Sequence, residues 1–82
     1  MKQKYPCPCC GYRTYPVLPQ QDCGYICPVC FWENDPFLAS PEEPSDSNHG
    51  ITLQKARRNF QEFGACEREM LPYVRAPRKG EL

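Results

Sequence analysis

A small α+β domain stabilised by a bound metal is the fold class that the sequence predicts, and three observations predict it. Cysteines stand in two matched pairs, Cys7-Pro8-Cys9-Cys10 and Cys27-Pro28-Val29-Cys30, each written C-P-x-C, with sixteen residues between the inner cysteines. An amphipathic stripe follows over residues 51–64, where Leu53, Ala56, Phe60 and Phe63 recur at spacings of three, four and three. The chain has 82 residues, and near that length a hydrophobic core alone rarely supplies more than about 3–5 kcal/mol, so a staple is expected. The architecture that follows is a zinc-ribbon or rubredoxin-knuckle β-hairpin with one packed C-terminal α-helix, in a single domain over residues 1–82.

The metal half spans residues 5–35. The spacing C-x2-C-x16-C-x2-C lies in the range of a four-thiolate zinc site. Each C-P-x-C is a tight turn, with Pro8 and Pro28 presetting φ near −65° after the leading cysteine. Gly11 supplies positive φ where the first turn closes. Phe31 holds the equivalent place in the second turn, where a bulky side chain is strained, so the second turn is expected to differ from the first. Between the turns, Tyr15, Val17, Tyr25 and Ile26 suit short strands, and Pro16 and Pro19 confine the first of these to an edge. Gln20-Gln21-Asp22 reads as the bend of the hairpin joining them.

Residues 36–50 form a polar, proline-punctuated loop, read equally as a spacer or as a binding loop. The helix over residues 51–64 has Thr52 as its N-cap and Gly64 as its left-handed stop. A short further turn over residues 67–71 ends at Pro72, Tyr73-Val74-Arg75 is extended, and residues 76–82 are a flexible tail. The helix stripe must bury itself, and only the metal half, with Tyr12, Tyr25, Ile26, Phe31 and Trp32, offers a partner surface.

Cys7, Cys10, Cys27 and Cys30 are the metal ligands expected from the spacing, in a closed S4 shell with no open position for water or substrate. That is the donor set of structural zinc, one ion per chain. Sulfur tetrahedra also hold iron, so a rubredoxin-like electron carrier is the competing reading. A thioredoxin-like role is disfavoured because neither C-P-x-C precedes a helical pattern. Cys9 is expected to point outward as a spare thiol, Cys66 to be a small buried hydrophobe, and His49 to be solvated. Cys9, Cys23, Cys66 and His49 have the composition of a second site but lack any ligand spacing. Glu33, Asp35, Glu42 and Glu43 read as a solvated acidic rim, with Asp35 set for a turn before Pro36. No nucleophile with a base and an orienting group is present, so no enzyme is expected.

Ten basic residues balance ten acidic ones, and a zinc held by four thiolates carries a local charge of about −2. Such a balance disfavours non-specific nucleic-acid binding. Nucleic acid remains the alternative partner through Lys2, Lys4, Tyr5, Tyr12, Arg13, Arg75, Arg78 and Lys79, since cations beside aromatics suit single strands. Another protein is the favoured partner, reached through the Trp32-to-Leu38 segment, the loop and the outer helix face with Arg57 and Arg58; Phe37-Leu38 would be an exposed apolar pair. No apolar segment follows Met1 to Tyr5 and no run approaches bilayer length, so a cytoplasmic, reducing setting without a membrane is expected. That setting favours metal over disulfides, as does an odd count of seven cysteines.

Taken together, Tyr5-Pro6-Cys7-Pro8-Cys9-Cys10-Gly11-Tyr12, Ile26-Cys27-Pro28-Val29-Cys30-Phe31-Trp32-Glu33-Asn34-Asp35-Pro36, and the helix from Ile51-Thr52-Leu53 through Phe60 to Phe63-Gly64 resemble the cysteine-rich CPCC family. The resemblance covers most of residues 5–75. It implies a small, mainly bacterial type of protein that binds metal through its cysteines. Cys23 departs from the usual pattern, and Asn34 stands where the family tends toward an acid.

Overall fold

In the computed structural model, which describes residues 4–82, the two C-P-x-C sequences close the same turn. In the first, Gly11 N–H donates to Cys7 C=O at 2.9 Å and Cys7 N–H to Tyr12 C=O at 2.9 Å. In the second, Phe31 N–H donates to Cys27 C=O at 2.8 Å and Cys27 N–H to Trp32 C=O at 3.1 Å. Gly11 has φ +81° and Phe31 has φ +69°. The expectation that Phe31 forces a different second turn is therefore corrected. A left-handed non-glycine residue costs about 1–2 kcal/mol. Offsetting that cost, Phe31 keeps both hydrogen bonds of the turn and stacks its half-buried ring against Tyr73, centroids 5.5 Å apart.

Each turn sits inside its own small hairpin. Strand β1 (Tyr5–Pro6) pairs antiparallel with β2 (Arg13–Tyr15), Tyr5 opposite Tyr15 and Pro6 opposite Arg13, with an irregularity between Tyr5 and Pro6. Around the second turn, Ile26 bridges Glu33, Asn34 N–H donates to Tyr25 C=O at 2.7 Å, and Gly24 N–H donates to Asn34 C=O at 3.1 Å. The sheet expected between residues 13–18 and 24–26 is thus replaced by pairing within each knuckle. The reason lies in the prolines. Pro16 has no N–H to extend β2, and Pro19 opens a 3-10 turn, Pro19–Gln21, that redirects the chain where a hairpin bend was expected.

The two hairpins are cross-tied. Tyr25 Oη donates to Thr14 C=O at 2.8 Å, and the Tyr15 and Tyr25 rings meet edge to face at 4.9 Å. Buried Asn34 donates from Nδ2 to both Pro19 C=O and Asp22 C=O, each at 2.8 Å. An ionised acid at this position would have no donor for either carbonyl.

Helix α1 (Leu53–Phe63) begins and ends where expected. Thr52 Oγ1 accepts from Lys55 N–H at 3.0 Å, and Gly64, at φ +91°, returns its N–H to Phe60 C=O at 2.9 Å. Ala56 is fully buried, and so small a side chain lets the helix axis come close to the cysteine turns. Phe60 meets the Tyr12 ring at 6.1 Å, and Arg57 Nε donates to Pro8 C=O at 2.9 Å, so α1 lies on the first turn. Just beyond the helix, Cys66 N–H donates to Cys30 C=O at 2.8 Å and so ties the chain to the second turn. The core is accordingly rich in sulfur, with Cys7, Cys9, Cys27, Cys30 and Cys66 among Tyr15, Val29, Trp32 and Ala56. Ile26, expected in this core, is instead exposed.

The loop over residues 36–50 is anchored at its far end. Ser45 and Asn48 are buried, Ser45 N–H donates to Ile51 C=O at 2.9 Å, and Pro44 bridges Thr52. Asp35 makes the expected turn, its Oδ1 accepting from Phe37 N–H at 3.2 Å while its Oδ2 accepts from Ser45 Oγ at 2.8 Å. The short turn after the helix is a 3-10 segment, Arg68–Tyr73, that includes Pro72 and is not stopped by it.

The chain end is not the free tail expected for residues 76–82. It closes in a 3-10 turn, Lys79–Glu81, where the buried Glu81 carboxylate pairs with both Nη atoms of Arg75 at 2.8 Å and accepts from Arg78 N–H at 2.8 Å. No helix among the described residues is long and apolar enough to cross a membrane.

Candidate metal centre

The paired turns face each other and bring Cys7, Cys10, Cys27 and Cys30 together, with all four Sγ atoms within 4.8 Å of one another. Across the two turns, Cys7 Sγ lies 3.7 Å from Cys30 Sγ, and Cys10 Sγ lies 3.7 Å from Cys27 Sγ. These separations test the fit of an ion. A metal about 2.3 Å from each of four tetrahedral sulfurs places neighbouring sulfurs about 3.8 Å apart. These two edges match that value and are far beyond the roughly 2.05 Å of a disulfide. Cys7, Cys27 and Cys30 are buried and Cys10 is half-buried. The four cysteines could therefore hold one metal ion.

Electrostatics reinforce the point. Four sulfurs this close cannot all carry negative charge without a cation among them. Cys27 titrates well below an ordinary thiol because it accepts hydrogen bonds from Cys10, then Cys30 and Cys7, with Thr14 adding to the effect. Cys7 is also lowered, chiefly by its hydrogen bond with Cys10. Cys10 is pushed far up by its bond to Cys27, and Cys30 by its bonds to Cys10, Cys27 and Cys7. A divalent ion would offset half the charge of four thiolates and leave about −2 on the centre.

Two hydroxyls beside the sulfurs were not singled out from the sequence. Thr14 Oγ1, on β2, lies 3.1 Å from Cys27 Sγ. Tyr15, the next residue, is fully buried, and burial together with the sulfur charges drives its phenol pKa well above normal. No motif marks such residues. Their role comes from β2 pairing back across the first turn, which carries them against cysteines of both knuckles. Cys9 N–H adds a backbone donor to Cys7 Sγ at 3.4 Å.

The other sequence candidates do not converge. Cys9 is buried, which corrects the expectation that it points outward. It and its counterpart Val29 both turn into the core beneath α1 and the segment that follows. Cys66 is buried as expected, and its thiol is pushed up to about 12, mainly by burial. Cys23 is exposed. His49 is exposed and pairs with Glu67, Nδ1 to Oε1 at 2.8 Å. Among the described residues, only the four cysteines of the paired turns form a cluster able to hold a metal. Of the acidic rim, Glu43 Oε1 accepts from Ala39 N–H and Asp35 closes its turn. Lys2 lies outside the described residues.

Residues 5–81 match the family described as cysteine-rich CPCC. The chain belongs to that family. No curated protein and no solved structure gives a match. In this CPCC family member the motif's third cysteine, Cys10, belongs to the sulfur cluster, while its second, Cys9, packs in the core.

Proposed function

We propose that this CPCC protein is a non-catalytic, zinc-stapled module of the zinc-ribbon and rubredoxin-knuckle type that engages another protein in the cytoplasm. Cys7, Cys10, Cys27 and Cys30 are the ligands of one zinc ion in this reading. The observation that carries it is the four-sulfur cluster, with all Sγ atoms within 4.8 Å of one another, two separations of 3.7 Å across the turns and three of the four residues buried. With every coordination position taken by thiolate, no site is left for water or substrate, so the ion serves the fold. Structural zinc contributes about 10–16 kcal/mol of apparent binding free energy. That exceeds the roughly 3–5 kcal/mol expected of so small a core.

For the partner surface, the loop after the second turn offers Phe37, which is 80% exposed. It sits beside a cavity of about 260 Å³ lined by Pro8, Trp32, Leu38, Pro41 and Leu53. An exposed aromatic next to an apolar hollow favours protein over nucleic acid. So does the loss of Arg75 from the basic set to its pairing with Glu81.

Elemental analysis combined with native mass tests the metal reading. One zinc per chain is expected, with loss of near-ultraviolet circular dichroism on chelation. Two zincs per chain, ferric iron with its red colour, or a fold that survives chelation would overturn it. Retention on single-stranded DNA at low salt would replace the protein partner with nucleic acid.

A further inference from the structure

Among the described residues, Tyr15 Oη is the one buried side-chain oxygen or nitrogen without a hydrogen-bond partner. The other buried polar side chains are paired: Thr14 with Cys27, Asn34 with two carbonyls, Ser45 with Asp35, Asn48 with Glu33, and Glu81 with Arg75. An orphaned buried hydroxyl costs about 1–3 kcal/mol, and phenylalanine would fill the same space without that cost. The surroundings of Tyr15 point to what the hydroxyl meets. The ring is packed in the same buried core as Cys7, Cys27 and Cys30, and Cys7 is the sulfur placed to accept from its hydroxyl. It is therefore a donor beside sulfurs that become thiolates once an ion is bound. Its neighbour Thr14 already sits on one of them, 3.1 Å from Cys27 Sγ.

We propose that Tyr15 Oη is a donor held in reserve for the Cys7 thiolate of the loaded centre, and that Thr14 does the same for Cys27, so that adjacent residues of β2 each drain charge from one sulfur of a different knuckle. The proposal rests on the four-cysteine metal reading. Tyr15 and Thr14 are positioning residues that act through the ligands. By dispersing the excess negative charge of a buried four-thiolate ion, they hold the sulfurs deprotonated and make them weaker electron donors to the metal.

The test uses the full chain loaded with Zn2+ for affinity and with Co2+ for spectroscopy. Tyr15→Phe and Thr14→Val are each expected to weaken Zn2+ binding about 10–100-fold in competition with a chelating indicator. Each is also expected to move the sulfur-to-cobalt charge-transfer band to lower energy, because a thiolate without its hydrogen bond donates more readily. Thr14→Ser, which keeps the hydroxyl, retains the wild-type band. If Tyr15→Phe fails to fold, a fluorinated tyrosine at position 15, a stronger donor, should move the band to higher energy. Unchanged affinity and band energy in Tyr15→Phe, or an unmoved band with the fluorinated residue, overturns the proposal. A wild-type chain without a tetrahedral thiolate cobalt spectrum overturns the metal reading itself, so the two failures are distinguishable.

Discussion

The side chain of Asn48 completes the backbone pairing of Glu33. Its Oδ1 accepts from Glu33 N–H at 2.9 Å and its Nδ2 donates to Glu33 C=O at 2.8 Å, the two bonds that a neighbouring strand would make. Asn48 is buried and its Nδ2 also reaches Ser45 Oγ at 2.9 Å. One carboxamide thus pins the far end of the 36–50 loop to the second cysteine hairpin.

Asn48→Ala strands two backbone groups of Glu33. Each unpaired buried group costs about 1–3 kcal/mol, discounted where water can enter. The expected loss is about 2–3 kcal/mol, read as a lower urea midpoint of the metal-loaded protein with an unchanged slope. A change under 0.5 kcal/mol would mean that the loop is held by other contacts.

Thiol reactivity separates the three cysteines outside the cluster. Attack requires an accessible thiolate. Cys23 is exposed, Cys9 is buried, and Cys66 is both buried and pushed up to about 12. Iodoacetamide is therefore expected to add once per native, metal-loaded chain, at Cys23, as read by intact mass and peptide mapping. Chelator and denaturant together should expose all seven cysteines. Early modification of Cys9 would contradict its burial.

His49 and Glu67 make a pH-dependent tie. The hydrogen bond and charge of Glu67 raise the His49 pKa above 6.5. A raised folded-state pKa gives stabilisation that is fully present below the unfolded value and is lost as pH rises through the folded value. The stability difference between wild type and His49→Gln should be present at pH 6 and vanish by pH 9, as measured by urea unfolding at each pH. Because the imidazole is fully exposed, the difference should also shrink with added salt.

Glu81 holds the chain end. Hydrogen bonds from Arg75 keep its carboxyl at about 2, so it is ionised throughout the neutral range. Glu81→Ala removes the pair and the bond to Arg78 N–H. Tryptic cleavage after Arg78 or Lys79 should then run about tenfold faster than in the wild type, which corresponds to about 1.4 kcal/mol if opening is fast relative to cutting. Equal rates would show that the final turn docks without the ion pair.

Much of the fold was legible because it obeys rules that act within a few residues. The C-x2-C pairs, Gly11 at positive φ, Thr52 at the helix start and Gly64 at its end are each set by neighbours three or four positions away. The apolar stripe placed α1 against the cysteine turns for the same reason. Phe31 was misread because its local strain was weighed without the hydrogen bonds and the Tyr73 contact that accompany it. Cys9 was misread because burial under α1 cannot be inferred from a turn alone. The strand pairing was misread because β propensity at Tyr15 and Tyr25 does not say which neighbour supplies the ladder.

By itself, the chain's spelling determined that two sulfur turns and one amphipathic helix form, since spacing, capping and φ preferences are local. Only the tertiary structure decided that β2 folds back across the first turn, that Thr14 and Tyr15 come to lie beside the sulfurs, and that Asn48 and Glu81 fasten the loop and the chain end. Those contacts join residues from six to fifteen positions apart. Burial and pairing energies that no short window contains select them.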